Sequence, residues 1–366
     1  MSTTPVHQKA DIITRAEGSA MKGVGILLIA THNLAHMLRL TGYDCNEYNF
    51  EQESADAIFQ FLLHPGPNLL IQLSTLMGYC GIYIFLFMSA FGLVRKYEQG
   101  PAPMPKAHTF LWRHYAKLFR LMIVGLVAAI AVAYLLPHST PPAKRDWLAQ
   151  ALMITNLINP PYRHVFPGPY WFLGLMVELY VIYRLVLYVP RDGAQWRKWL
   201  LPVAFAVLTL APQIHYRTAG GEMIYLRYNF FVAGLPFAAG LLVARYGGIP
   251  RMGRWAWAVV WLAATMGFIL MQPSPVLWIL SSVVVAIAII AFVKMLASCV
   301  AKPLVWVGGI SSYLFIVHPV IRFFALEWRG QVEGHLLLAV YMAVALLAAV
   351  AYQRLLAAIP WPKFLR

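Results

Sequence analysis

Long apolar runs recur along this chain, and they constrain its fold more than any other feature. An α-helix needs about 20 consecutive, mostly apolar residues to cross a hydrocarbon layer about 30 Å thick. Ten such segments can be read: 19–40, 69–94, 112–136, 170–189, 199–215, 226–245, 255–271, 276–297, 304–326 and 335–357. In lipid, every backbone N–H and C=O must find its partner inside the segment, so runs of this kind fold as helices. The expectation is an all-α, polytopic membrane protein with about ten transmembrane helices. Composition agrees, since only 12% of residues are charged where soluble domains run to about 25%. The net charge of +15 therefore does not call for a nucleic-acid partner. In membrane proteins, basic residues collect in cytoplasmic loops.

That rule also orients the chain. With the N-terminus cytoplasmic, roughly 21 of the 29 Lys and Arg residues fall on the cytoplasmic side. Both termini are then expected inside. A cytoplasmic segment 1–18 precedes one transmembrane domain, 19–357, and a short tail, 358–366, follows it. The outer loops are 41–68, with five acids, and the proline-rich 137–169, in which 146–158 suits a re-entrant or interfacial helix. No removable signal peptide is visible at the start. The three cysteines, Cys45, Cys80 and Cys299, show no disulfide framework or metal spacing, and no metal is expected.

Ionisable side chains inside a bilayer are costly and mark function by default. His32 lies ten residues after Lys22, about 15 Å along a helix, and His36 follows one turn further out. Each imidazole suits a general base, or a plain hydrogen bond to a neighbouring helix. Arg113, Lys117 and Arg120 form a basic stripe entering from the cytoplasmic side. The stripe suits either snorkelling anchors or a phosphate site. Glu178 lies seven residues inward from Trp171 and must be protonated or paired, with a segment-three cation or a histidine as the expected partner. The ninth segment carries Ser311, Ser312, Tyr313, His318 and Arg322, and its Gly308 and Gly309 permit close helix approach.

Several stretches taken in order carry a resemblance. They are "KGVGILLIATH", ending at His32; "FLFMSAFGLVRKY"; Arg113 with Lys117; "YWFLGLMVELY", holding Glu178; and "ISSYLFIVHP", ending past His318. Together they resemble the acyltransferase family 3 of integral membrane acyltransferases. The resemblance runs over about residues 20–325. Two positions depart from the usual pattern: Ala90 stands where glycine is common, and Lys22 where arginine is common.

The resemblance implies transfer of an acyl group, most often acetyl, from cytoplasmic acyl-CoA to a hydroxyl of a cell-envelope glycan or its lipid-linked precursor. It implies a place in the cytoplasmic membrane of a bacterium. The expected catalytic residues are His32, as general base or acyl carrier, with Asn33, Glu178, Ser312 and His318 around it. Lys22, Arg113, Lys117 and Arg120 are expected to hold the acyl-CoA phosphates. The rival reading is a transporter or flippase that moves a glycan or small anion with the same buried His, Glu and Arg. The absence of an obvious hydropathy repeat weighs against it.

Overall fold

A computed structural model describes residues 12–365 other than 48–49, 102, 138, 219–223 and 248, and the side chains of these residues except at 217–218, 224–225 and 298–300. Among them no β-strand forms; a single isolated bridge joins Arg329 and Val332. Fifteen α-helices follow in chain order: α1 Arg15–Leu38, α2 Gln52–Leu63, α3 Leu69–Met77, α4 Gly81–Tyr97, α5 Ala107–Leu135, α6 Lys144–Ala151, α7 Trp171–Ile182, α8 Gln195–Thr218, α9 Ile224–Arg227, α10 Gly234–Tyr246, α11 Arg254–Met271, α12 Pro275–Met295, α13 Ser298–Gly309, α14 Ser311–Glu327 and α15 Gly334–Ala358.

Among the described residues, seven helical stretches are long and apolar enough to cross a membrane: Leu69–Tyr97, Ala107–Leu135, Gly168–Leu187, Gln195–Tyr216, Arg254–Met271, Pro275–Met295 and Gly334–Ala358. An eighth is reached if Ala301–Gly309 and Ser311–Glu327, which meet at a 75° bend, count as one span. The two remaining apolar segments differ from these for separate reasons. α1 has 24 residues, about 36 Å of helix, so length does not set it apart. Its composition does, because Lys22, Thr31, His32, Asn33 and His36 interrupt the apolar run. The segment expected over 226–245 is a helix only from Gly234; before it come the four-residue α9 and a turn.

α1 is the middle of the bundle, and it packs against α3, α4, α12, α13, α14 and α15. Its start is fixed by a capping box. The Thr14 hydroxyl accepts from the Glu17 N–H, the Glu17 carboxylate accepts from the Thr14 N–H, and Lys294 of α12 holds Glu17 at 2.9 Å. Small residues let the neighbours close in. A Cβ on Gly308 would run into the Ser19 carbonyl, so α13 crosses α1 there with backbone against backbone. Gly309, grouped with Gly308 on sequence, faces open space instead.

The run 69–94 is not one straight helix. α3 tightens into a 3-10 turn over Gly78–Cys80 before α4 begins. A Cβ at Gly78 would sit 2.7 Å from the Cβ of His32, so this turn lies directly against the His32 stem. On the other side of the bundle, buried Glu98 at the end of α4 takes a two-pronged ion pair from Arg245 of α10, at 2.8 and 2.7 Å. Tyr183 donates to the same carboxylate at 3.1 Å. Two further Arg245 N–H groups reach the carbonyls of Lys198 and Leu187. Four of the five guanidinium N–H groups and both carboxylate oxygens are thereby engaged, which a buried pair needs to offset its desolvation.

Candidate active site

The tightening at Gly78 places the last carbonyls of α3 against α1, where the Ser74 oxygen, which already accepts the Gly78 N–H, has a second lone pair to offer. His32 uses these carbonyls. Its Nδ1 lies 3.1 Å from both the Ser74 and the Thr75 carbonyl oxygens. Carbonyls only accept, so Nδ1 carries a proton and, in the neutral ring, Nε2 holds the lone pair. The His32 residue is 5% exposed, and Nε2 faces a carboxylate oxygen of Glu47 at 3.5 Å.

Glu47 comes from the loop after α1. Its other oxygen takes the Arg227 guanidinium of α9 at 3.3 Å. Arg227 is buried among Tyr79, Tyr83 and Trp171, whose ring centroids lie 5.7, 5.9 and 5.7 Å from its charged carbon. Aromatic faces stabilise a cation held this way. Burial by itself would raise the Glu47 carboxyl, but a hydrogen bond donated by Nε2–H of the doubly protonated His32 ring and the charge of Arg227 outweigh it, and its pKa lies below the ordinary 4.5. The group is an anion at neutral pH. A second imidazole–carboxylate pair stands just outside: His36 Nδ1 is 3.1 Å from Asp44, and the two histidine rings stack with centroids 5.7 Å apart.

Arg322 of α14 closes the other wall. Its Nη1 donates to Asn33 Oδ1 at 2.9 Å, and the Asn33 amide donates back to the Ile29 carbonyl at 2.9 Å. The Asn33 oxygen is therefore spent on orienting a buried guanidinium. These groups surround a cavity of about 190 Å³ lined by His32, Asn33, His36, Glu47, Tyr79 and Arg322, among others. A base, an anion beside it and a cation opposite share one small chamber. That set can accept a proton and stabilise a developing negative charge.

The other residues singled out on sequence lie elsewhere. His318 is fully buried one turn before Arg322. Its Nδ1 donates to Leu314 of its own helix at 3.0 Å, and it does not line the chamber. Ser312 is exposed. Glu178 has neither the cation nor the histidine expected of it. Its Oε2 takes the Phe230 N–H at 2.9 Å, and among the described residues no cation pairs with it. Phe230 lies in the turn ahead of α10, so this carboxylate satisfies a backbone donor that an unbroken helix would have used internally.

The basic group divides as well. Lys22 is half-buried and within electrostatic reach of Lys117. Arg120 has a buried Nε with no partner among the described residues. Arg113 and Lys117 are exposed. Lys22 lies about 15 Å of helix away from His32, and Lys117 is its neighbour there.

Sequence reasoning missed Glu47 and Arg227 as site residues. Glu47 was one of five acids in a polar loop, and nothing in its neighbourhood marked it out. Arg227 sat inside a segment read as membrane-spanning, where a lone intramembrane arginine is itself a signal of function.

A search of curated proteins and of solved structures found no match. Residues 19–354, nearly the whole chain and every element that builds the chamber, match the family model described as an acyltransferase domain. This integral membrane chain belongs to the acyltransferase family 3.

Proposed function

We propose that this protein transfers an acyl group, most simply acetyl, from acyl-CoA to a hydroxyl of an extracytoplasmic or lipid-linked carbohydrate, with His32 as general base. One observation carries the reading: the His32 ring is pinned through Nδ1 to two carbonyls, which leaves Nε2, beside Glu47 on the chamber wall, as the nitrogen free to take or give a proton.

In this scheme Nε2 takes the proton of the acceptor hydroxyl. The oxygen attacks the thioester carbonyl, and the tetrahedral intermediate collapses with loss of the CoA thiolate, which takes the proton from the imidazolium. Glu47, 3.5 Å from Nε2, stabilises the imidazolium while it exists. Arg322, oriented by Asn33, is the nearest cation for the oxyanion. A carboxylate set against the reacting nitrogen favours a proton there over an acyl group, so the base role is preferred to an acyl-histidine intermediate. Lys22, Lys117 and Arg120, with Arg113 at the rim, supply the phosphate-binding charge for CoA. The pantetheine arm would run from there along α1 to His32. This requires both termini to be cytoplasmic and the 41–68 and 137–169 loops to face outward, in the bacterial cytoplasmic membrane.

The test is mass spectrometry of envelope glycans from cells that express the wild-type chain or His32→Ala. Wild type should add one acyl increment per modified sugar, and His32→Ala should add none while inserting at normal levels. Full modification by the variant would remove His32 from the mechanism. Substrate movement across vesicles without acyl-CoA consumption would replace the transferase with a transporter.

A further inference from the structure

The sequence shows no metal-binding spacing, but the fold brings the buried Cys45 thiol up behind His32 and Glu47, which line the chamber. His32, Cys45 and Glu47 each offer one ligand atom, and all three atoms lie within 4.8 Å of one another. A second trio, His36, Asp44 and Cys45, shares the thiol. Thiolate, imidazole and carboxylate together are the donor set of zinc.

Three features favour the inner trio. His32 donates Nδ1–H to backbone carbonyls, the outer partner that metal-ligating histidines use to fix the tautomer and free Nε2. Glu47 is in turn held by Arg227. The chamber leaves a fourth position open for water. Tetrahedral zinc with bonds of 2.0–2.3 Å sets its ligand atoms about 3.5 Å apart, so the trio must contract by about an ångström. Cys45 and Glu47 lie on a loop, which makes that movement feasible. In the outer trio, the His36 and Asp44 side chains are 31% and 65% exposed, so water competes for both ligands.

We infer that His32 Nε2, Cys45 Sγ and a Glu47 carboxylate oxygen form a site for a zinc-class divalent ion, and that an ion bound there blocks the transferase. The reason is arithmetic: Nε2 has one lone pair, and a metal bond and a proton compete for it. The blocking effect rests on the general-base reading above; the site itself does not.

The test uses purified protein in lipid nanodiscs and needs no acyl transfer. Zinc affinity is measured by competition with a chromophoric chelator, and cobalt(II) reports thiolate ligation by its charge-transfer absorption. Protection of His32 by zinc against diethyl pyrocarbonate is read by peptide mass spectrometry. The wild type should bind one ion per chain, give the cobalt–thiolate band and protect His32. Removing an outer partner of a ligand costs 10–100-fold in affinity, so Cys45→Ala, which removes a ligand, should lose about 100-fold or more along with the band and the protection. His36→Ala should keep all three.

A Cys45→Ala chain that binds zinc as tightly as wild type overturns the site. So does a wild type without the cobalt band. Loss of binding in His36→Ala with His32 still reactive moves the ion to the outer trio and overturns the block. If transfer is measurable, zinc should inhibit the wild type and spare Cys45→Ala; inhibition of both equally also overturns the block. If no transfer is found at all, the binding and protection results still decide the site.

Discussion

Glu47→Gln removes one charge with almost no change of shape, and two separate consequences follow from the geometry. The first concerns the reaction. Glu47 stands 3.5 Å from His32 Nε2, and two unit charges at that distance interact by about 4–5 kcal/mol at an effective dielectric of about 20. The glutamine dipole recovers part of this. The net loss to the protonated transition state is then about 2–4 kcal/mol, or about 30–1000-fold in kcat. Ground-state binding of acyl-CoA does not use Glu47, so its KM should hold.

The second consequence concerns stability. Arg227, with its side chain 3% exposed, loses its carboxylate. Breaking one side of a buried pair costs about 3–5 kcal/mol, less whatever the three aromatic faces retain. A double variant, Glu47→Gln with Arg227→Met, separates the two effects because it removes the Arg227 charge as well. Single-turnover acyl transfer in nanodiscs and thermal unfolding are measured on wild type, single and double variants. The double variant should regain most of the lost Tm and none of the lost kcat. Recovery of wild-type kcat in the double variant would mean that Glu47 acts only by holding Arg227. A single variant within threefold of wild type would refute the electrostatic argument outright.

Four further outcomes follow from the same structure. Gly78→Ala drives a methyl into the His32 stem at 2.7 Å; it should lower kcat by about 100-fold, as a displacement of about 1 Å at a reacting group does, with acyl-CoA KM unchanged. Lys117→Ala and Arg120→Ala should raise the KM for acyl-CoA and leave kcat near wild type, and an unchanged KM in the double substitution would remove the phosphate role. Glu98→Ala strips the Arg245 guanidinium of its carboxylate where both side chains are under 5% exposed; it should destabilise by about 3–5 kcal/mol, read as loss of folded protein in detergent, with no specific effect on KM. Acid should loosen the loop after α1. The carboxyl of Asp44 is lowered by its hydrogen bond from His36, and that of Glu47 also lies below its ordinary value, because its partners outweigh burial. A depressed carboxylate contributes stability above its unfolded pKa and loses it as pH falls through the folded one. The Tm should therefore drop below about pH 4.5, and the drop should shrink in Glu47→Gln.

What the sequence made legible was local in the chain. The apolar runs, the i, i+4 pair His32 and His36 and the stripe on α5 all repeat within one helix, where spacing dictates which side chains share a face. Helix breaks were less legible. Ile310 lies inside a continuous apolar stretch, and so do Gly78 and the turn ahead of Gly234; hydropathy cannot report a break whose backbone groups are satisfied by distant partners. Glu178 shows the difficulty. Its burial was readable, but its partner is a main-chain N–H at Phe230, and a main-chain donor leaves no trace in residue identity. His318 and Ser312 belong to the quoted motif and Arg322 lies three residues past it, yet of these three only Arg322 lines the chamber.

The chamber draws on parts of the chain with different tolerances. His32 and Arg322 sit on packed helices, so their positions follow from helix geometry and from Gly78 and Asn33 behind them. Glu47 sits on a loop, and its carboxylate is held by His32 and Arg227. A carboxylate placed this way is the part most easily moved, whether by protonation, by loss of Arg227 or by a competing cation. With His32 as general base, the activity is controlled at that loop more than at His32 itself. Substitutions among Asp44, Cys45 and Asn46 should then alter kcat without touching either substrate, whereas equally conservative changes on the lipid-facing sides of α11 or α15 should not. A scan in which both regions respond alike would show that the loop has no special hold on the reaction.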